Sequence, residues 1–226
     1  MVLKREAPCR SLGSSHSGAL LNKMRILAAS DLHGDIKAAE KLAEKAKREK
    51  PDLIVLAGDL TIFGSGLEGL LAPFTDLKKK IAVIPGNHDS EADIFFLKKR
   101  YPDMIYDLHS YAFRVGDVGF FGCGLGNIGP NEITEDEIKN RVLDSYKYVK
   151  NSKRKVMIVH VPPYKTKLDK VGKDINIGSP AVRELIETLK PDKCICGHVH
   201  ETFGLEDKLN KTEVINVGPK GKIIEI

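Results

Sequence analysis

Asp31, His33, Asp59, Asn87, His88, His160, His198 and His200 put hard oxygens and imidazoles into one chain of 226 residues. That mixture suits borderline divalent ions such as Mn²⁺, Fe²⁺, Zn²⁺, Co²⁺ or Ni²⁺ better than calcium. The donors are too many for one tetrahedral site and enough for two ions. A carboxylate shared between two ions can set a separation of about 3.5–4 Å, and such a pair polarises a phosphoryl oxygen and makes hydroxide available at neutral pH. Five of the seven histidines belong to this set. The other two stand outside any motif: His109 reads as a solvated side chain and His16 as inert.

Such chemistry needs elements that end at one place. Residues 24–30 (MRILAAS) form a short apolar run that predicts a buried strand, and 31–35 (DLHGD) a polar turn at its end. Helical periodicity follows over 36–49, with Ile36, Ala39, Leu42, Ala43 and Ala46 on one stripe. Lys50-Pro51 stops that helix, and DLIVLA (52–57) predicts the next strand, closed by Gly58-Asp59. The rhythm repeats as a helix over 67–78, a strand over 81–84, the loop PGNHD (85–89) and a helix over 90–100. This alternation argues for βαβ units and a largely parallel sheet.

The middle differs. Residues 110–124 alternate and turn at Gly116-Asp117, which predicts an antiparallel hairpin. A polar helix over 134–151, a strand over 155–160, a lysine-rich loop over 161–178, a helix from Pro180 capped by Ser179, and strands at 193–196, 213–217 and 222–226 complete the chain. Asp31, His33, Asp59, Asn87, His88, His160, His198 and His200 all fall at or just past the ends of predicted strands. The carboxyl ends of strands in an α/β sheet converge on one crevice. Residues 1–23 carry no hydrophobic periodicity and read as a non-core or disordered extension, leaving 24–226 as a single domain.

Composition narrows the class. With 42% hydrophobic and 30% charged residues the balance is that of a soluble globular protein, and no run is long enough to span a membrane. The net charge is +5, and the extension supplies most of it. The body is therefore too weakly basic to advertise nucleic-acid binding, and the absence of Trp leaves little for base stacking. Cys9, Cys123, Cys194 and Cys196 are too sparse for a disulfide scaffold and read as reduced thiols of a cytoplasmic protein. Cys194, Cys196, His198 and His200 alternate, but Gly197 ends the strand, which disfavours a structural zinc site there.

Five blocks stand in order: Asp31-Leu32-His33, Gly58-Asp59, Gly86-Asn87-His88-Asp89, His160, and Gly197-His198-Val199-His200. In these the chain resembles the calcineurin-like metallophosphoesterases from about Met24 to the C-terminus. The resemblance implies a four-layer α/β/β/α sandwich of two mixed β-sheets flanked by helices. It implies two divalent metal ions, Mn²⁺ favoured, with Asp31, His33 and His200 on one, Asn87, His160 and His198 on the other, and Asp59 bridging. A hydroxide spanning the ions would attack phosphorus. His88 would donate a proton to the phosphoryl or leaving oxygen, and Asp89 would orient or bias His88. Gly58-Asp59 continues as Leu60-Thr61-Ile62-Phe63-Gly64 rather than the Asp-Arg-Gly of the Ser/Thr protein phosphatases. The expected activity is therefore hydrolysis of a small or nucleotide-type phosphodiester. A narrow phosphomonoesterase and a non-catalytic metal-bearing scaffold are the alternatives. Nucleic acid and membrane are not expected partners, and the oligomeric state is left open. Asn127, Asn131 and the lysines at 165, 167, 170 and 173 are further possible substrate contacts, the lysines reading first as a solvated loop.

Overall fold

In the computed structural model, residues 23–173 and 175–226 are described, with the backbone of 10–12. The chain runs β1 (Arg10–Leu12), β2 (Arg25–Ala29), α1 (Ile36–Glu49), β3 (Leu53–Ala57), a 3₁₀ helix (Ala72–Leu77), β4 (Ile81–Ile84), α2 (Glu91–Arg100) and β5 (Ile105–Asp107). Next come β6 (Ala112–Val115), β7 (Val118–Cys123), α3 (Glu135–Tyr146), β8 (Arg154–Val159) and the short pair β9 (Lys170–Val171) and β10 (Ile175–Asn176). It ends with α4 (Pro180–Leu189), β11 (Lys193–Cys196), β12 (Glu206–Leu209), β13 (Thr212–Asn216) and β14 (Lys222–Glu225).

Two mixed sheets result, one ordered β14-β2-β3-β4-β5 and the other β1-β6-β7-β8-β11-β13-β12. Strand alternation assigns their faces. Ile26, Ala28, Val55, Ala82 and Ile84 of the first sheet meet Phe113, Phe120, Val156, Ile158 and Ile195 of the second in a buried inner layer. Leu27, Ala29, Ile54, Leu56 and Val83 point outward to Ala39, Leu42 and Ala46 of α1 and Ile94 and Leu97 of α2. Phe121, Met157, Val159, Cys194 and Cys196 point outward to α3 and α4. The expected α/β/β/α sandwich is the observed one. Strands buried on both faces explain why the sequence shows them as continuous apolar runs.

Local signals also hold. The Asp35 side chain caps α1 by accepting the Ala38 N–H, and Lys50 ends that helix in a left-handed conformation ahead of Pro51. Thr134 and Glu137 form a capping box on α3, and Ser179 caps α4.

Four expectations need correction. Residues 67–78 are not a continuous helix: Gly69 is left-handed and Pro73 cannot donate, so only the 3₁₀ segment forms, though Leu70, Leu71 and Phe74 still pack on the sheet. The helix expected over 134–151 stops at Tyr146, where tighter bonds from Tyr148 to Ser145 and from Val149 to Tyr146 turn Val149 into the core. The loop 161–178 contains the β9–β10 pair, and β12 escaped the sequence pattern because its exposed face is charged. His109 is buried rather than solvated. Its Nδ1 accepts the Gly124 N–H, and its Nε2 faces Glu91 and Arg141.

The β1 backbone runs parallel to β6 at a sheet edge. The rest of residues 1–22, with the expectation placed on it and Cys9, lies outside the described residues. Among the described residues no helix is long and apolar enough to cross a membrane.

Candidate metal centre

Parallel strands β2, β3 and β4 deliver their terminal loops side by side, and backbone bonds continue the pairing past the strand ends. The Asp31 N–H donates to the Gly58 carbonyl, that of His33 to Asp59 and that of Gly34 to Leu60. From the second sheet, β8 brings His160, and the Gly197 N–H at the end of β11 donates to the His160 carbonyl. Asp31, His33, Asp59 and His198 all sit at positive φ, between 45° and 73°. Such strain in non-glycine residues clusters where surrounding structure holds side chains on a ligand.

Glycines in the sequence blocks make the approach possible. A Cβ on Gly86 would lie 2.0 Å from an Asp59 carboxylate oxygen, and one on Gly197 2.4 Å from an Asp31 carboxylate oxygen. Any larger residue would displace the two carboxylates.

Among the described residues the donors fall into two outer sets, with a third grouping of His33, Asp59 and His88 between them. Ligand atoms of Asp31, His33 and His200 lie within 4.8 Å of one another, as do those of Asp59, His160 and His198. His200 Nε2 is 3.6 Å from Asp31 Oδ1 and 3.4 Å from His33 Nε2. In the second set, Asn87 Oδ1 is 3.0 Å from His160 Nε2 and 2.8 Å from His198 Nδ1. Asp59 Oδ2 stands between the sets, 3.8 Å from His33 Nε2 and 3.3 Å from His160 Nε2.

In two of the four rings, His160 and His33, the second nitrogen is anchored as metal-holding imidazoles require. His160 Nδ1 donates to the Ala57 carbonyl at 2.8 Å, and His33 Nδ1 to that of Thr61 at 3.2 Å. In each, Nε2 is the ring atom left to face the carboxylates. The set therefore fits divalent ions by donor chemistry and by ring orientation.

Burial and charge oppose each other here. Burial works against charge on His160, but the adjacent Asp59 carboxylate overrides it and raises the imidazole to about 9. Burial also pushes Asp59 up, yet the His160 ring and the His88 N–H hold it well below the usual carboxylate range. His198 drops to about 4, through burial first and then the neighbouring His160. The Asp31 carboxylate raises His200.

His88 lies at the mouth. Its ring meets His33 edge-on at 4.9 Å, and its Nδ1 is buried without a hydrogen-bond partner. Asp89 makes no hydrogen bond to the His88 ring, and its path to His88 runs through Thr61, whose hydroxyl lies against the His88 carbonyl. Asp89 is fully buried, and its carboxylate accepts the N–H groups of Leu60, Thr61 and Gly86 and lies 2.8 Å from the Thr61 hydroxyl. Asp89 thus ties the loop after β3 to the loop after β4. Burial raises its carboxyl while the Gly86 and Leu60 N–H bonds oppose the rise.

Cys194 and Cys196 face the helices in the core, so they share no site with His198 and His200. Asn131 donates its side-chain N–H to the Asn87 carbonyl, and Asn127 pairs with Glu135; both shape the loop beside Asn87. Lys165, Lys167 and Lys170 border a separate depression with Asn176 and Asp207.

Sequence reasoning missed Thr61. Fully buried, it receives His33 on its carbonyl, and its hydroxyl lies 2.9 Å from the His88 carbonyl and 2.8 Å from Asp89. A buried hydroxyl two residues after Gly58-Asp59 was the available signal, but its partners are distant in sequence.

The sequence profile described as calcineurin-like phosphoesterase matches residues 24–202. The chain is 32% identical over 222 residues to an uncharacterized Methanocaldococcus jannaschii protein, MJ1162, covering 91% of this chain and 93% of that one. Among solved structures, the Thermus thermophilus protein TT1561 superposes with TM-score 0.70 at 20% identity, over 88% of this chain and 91% of that one. A protein described as a novel archaeal phosphodiesterase superposes with TM-score 0.51 at 18% identity, over 90% of this chain and 100% of the other. These two likenesses carry the fold.

Proposed function

The chain belongs to the calcineurin-like phosphoesterase family, and from that premise we propose a dinuclear metal-dependent hydrolase acting on small or nucleotide-type phosphodiesters. The carrying observation is Asp59, whose Oδ2 faces His33 on one side and His160 on the other. Asp31, His33 and His200 would hold one ion, Asn87, His160 and His198 the second, and Asp59 both. When bound, the ions, with Mn²⁺ favoured, polarise the phosphoryl group and make hydroxide available at neutral pH.

The chain's own residues then have separate tasks. The Ala57 and Thr61 carbonyls fix the His160 and His33 rings. The Asp89 carboxylate holds the two loops in register, and its bond network sets the backbone from which His88 projects. His88, whose ring stands beside His33 at the mouth, would donate the proton that the leaving oxygen needs. The Leu60–Gly64 continuation departs from the protein phosphatase pattern, which supports a small phosphoester substrate over a phosphoprotein. Buried thiols at Cys123, Cys194 and Cys196 support a reducing, cytoplasmic setting.

The test is hydrolysis of bis-p-nitrophenyl phosphate by metal-stripped protein, with and without Mn²⁺, alongside Asp59→Asn. Manganese should restore turnover in the parent and not in the variant. A parent inert with Mn²⁺, Ni²⁺, Co²⁺ and Zn²⁺ would overturn the diesterase reading.

A further inference from the structure

Phe63 is 66% exposed and nevertheless held in place. It sits at φ 51°, a left-handed conformation that a bulky residue rarely adopts. The turn that carries it is closed on itself: Ile62 and Ser65 exchange backbone hydrogen bonds at 3.0 and 2.9 Å, and the Gly64 N–H donates to the Thr61 hydroxyl. Gly66, at the end of the turn, backs onto Gly34 of the first metal-side loop. The Phe63 ring lies 4.6 Å from the His88 ring, tilted by 44°.

A lone exposed phenylalanine needs no explanation. This one is fixed by a locked turn in a strained conformation, against the ring assigned to the leaving group. It also has apolar company. Ile62 beside it is 48% exposed, and so is Ile128, in the glycine-containing loop that packs on Asn87. Apolar side chains thus stand on loops at two sides of a centre whose interior is wholly polar.

We infer that Phe63 is a specificity residue: its ring stacks on a flat, aromatic leaving group, an aryl or nucleobase-bearing ester, as His88 protonates the departing oxygen. The inference rests on the hydrolase reading. An aromatic face is sequence-tolerant toward flat partners and adds binding that an alkyl group cannot match.

The test compares Mn²⁺-loaded parent, Phe63→Ala, Phe63→Leu and Phe63→Trp by calorimetric binding of phenylphosphonate and methylphosphonate. The same proteins are assayed for turnover of bis-p-nitrophenyl phosphate and glycerophosphocholine. The parent should bind the phenyl compound about tenfold more tightly than the methyl one, a gap that Phe63→Ala and Phe63→Leu remove and Phe63→Trp retains. The aryl-to-alkyl turnover ratio should fall in step. A parent without the phenyl preference, or a preference intact in Phe63→Ala, overturns the inference. So does an equal loss on both substrates with the binding preference intact, since Phe63 would then only prop His88. If no phosphoester is turned over while the Phe63-dependent binding preference persists, the hydrolase reading falls and the aromatic subsite stands.

Discussion

The two halves of the candidate centre meet at Asp59 but lie in different media. His160 is fully buried, and its set includes the buried Asn87 and the mostly buried His198. In the other half, the His200 side chain is 57% exposed and that of His33 22%. The buried half is built into the seam between sheets, from strand-end residues whose partners are carbonyls and carboxylates. The exposed half closes against Phe203 and opens to solvent beside His88. Buried charge must be paired or it is costly, whereas an exposed pair is screened. The same donor chemistry is thereby enclosed by the fold on one side and, at His200 and His33, open to solvent on the other.

Removal of the shared group has the largest expected effect. Asp59→Asn should lower turnover by more than the roughly 10–100-fold that follows loss of an outer partner of a metal site, and should reduce bound metal in both halves. Elemental analysis of the purified variant alongside kcat checks this; loss of one ion only would break the idea of a shared carboxylate.

His160→Ala comes next and acts on stability as well. Stripping Asp59 of its buried partner should destabilise the metal-free protein by about 3–5 kcal/mol in urea unfolding. Asp89→Asn should cost less, about 1–3 kcal/mol, because N–H groups of Leu60, Thr61 and Gly86 lose part of their acceptor. It should lower kcat without moving the pH–rate profile. A displaced profile would give Asp89 a role on the His88 proton.

The metal-free protein should be most stable near pH 6.5. His160, raised to about 9, binds its proton more tightly folded than unfolded, so its contribution is full below 6.5 and is lost as pH rises through 9. His198, lowered to about 4, resists protonation when folded, so stability falls as pH drops from 6.5 toward 4. Depressed Asp59 extends the loss on the acid side, as it protonates below its ordinary range. In His160→Ala the alkaline limb should flatten, measured by thermal unfolding in chelator across pH.

The smallest effect belongs to the exposed half. His200→Ala should cost metal-free stability no more than about 1 kcal/mol, because the half-exposed ring is screened even though its partner Asp31 is buried. Its turnover should recover as Mn²⁺ is raised, and a variant beyond rescue would erase the contrast between the halves.

Much of this was present in residue order. Apolar runs at 24–30, 52–57 and 81–84, each followed by a polar block, define strands with functional ends because doubly buried strands have no other composition available. The glycines of those blocks mark where carboxylates approach the backbone. Local capping at Asp35, Thr134 and Ser179 is likewise a short-range property.

Other assignments depended on neighbours far along the chain. Asp89 reads as a partner of His88 because they are adjacent, but adjacent residues in a turn can face opposite ways, and its carboxylate accepts from Leu60, Thr61 and Gly86 and reaches His88 through Thr61. His109 carries no motif, and only packing against Gly124, Glu91 and Arg141 reveals it as buried. Sequence alone determined the strand rhythm, the donor types and the family, since these are carried by periodicity and short blocks. Tertiary structure decided which donors are buried, which carboxylate clamps loops and which aromatic stands at the mouth, because burial and hydrogen-bond partnership are set by elements that meet only when the two sheets close.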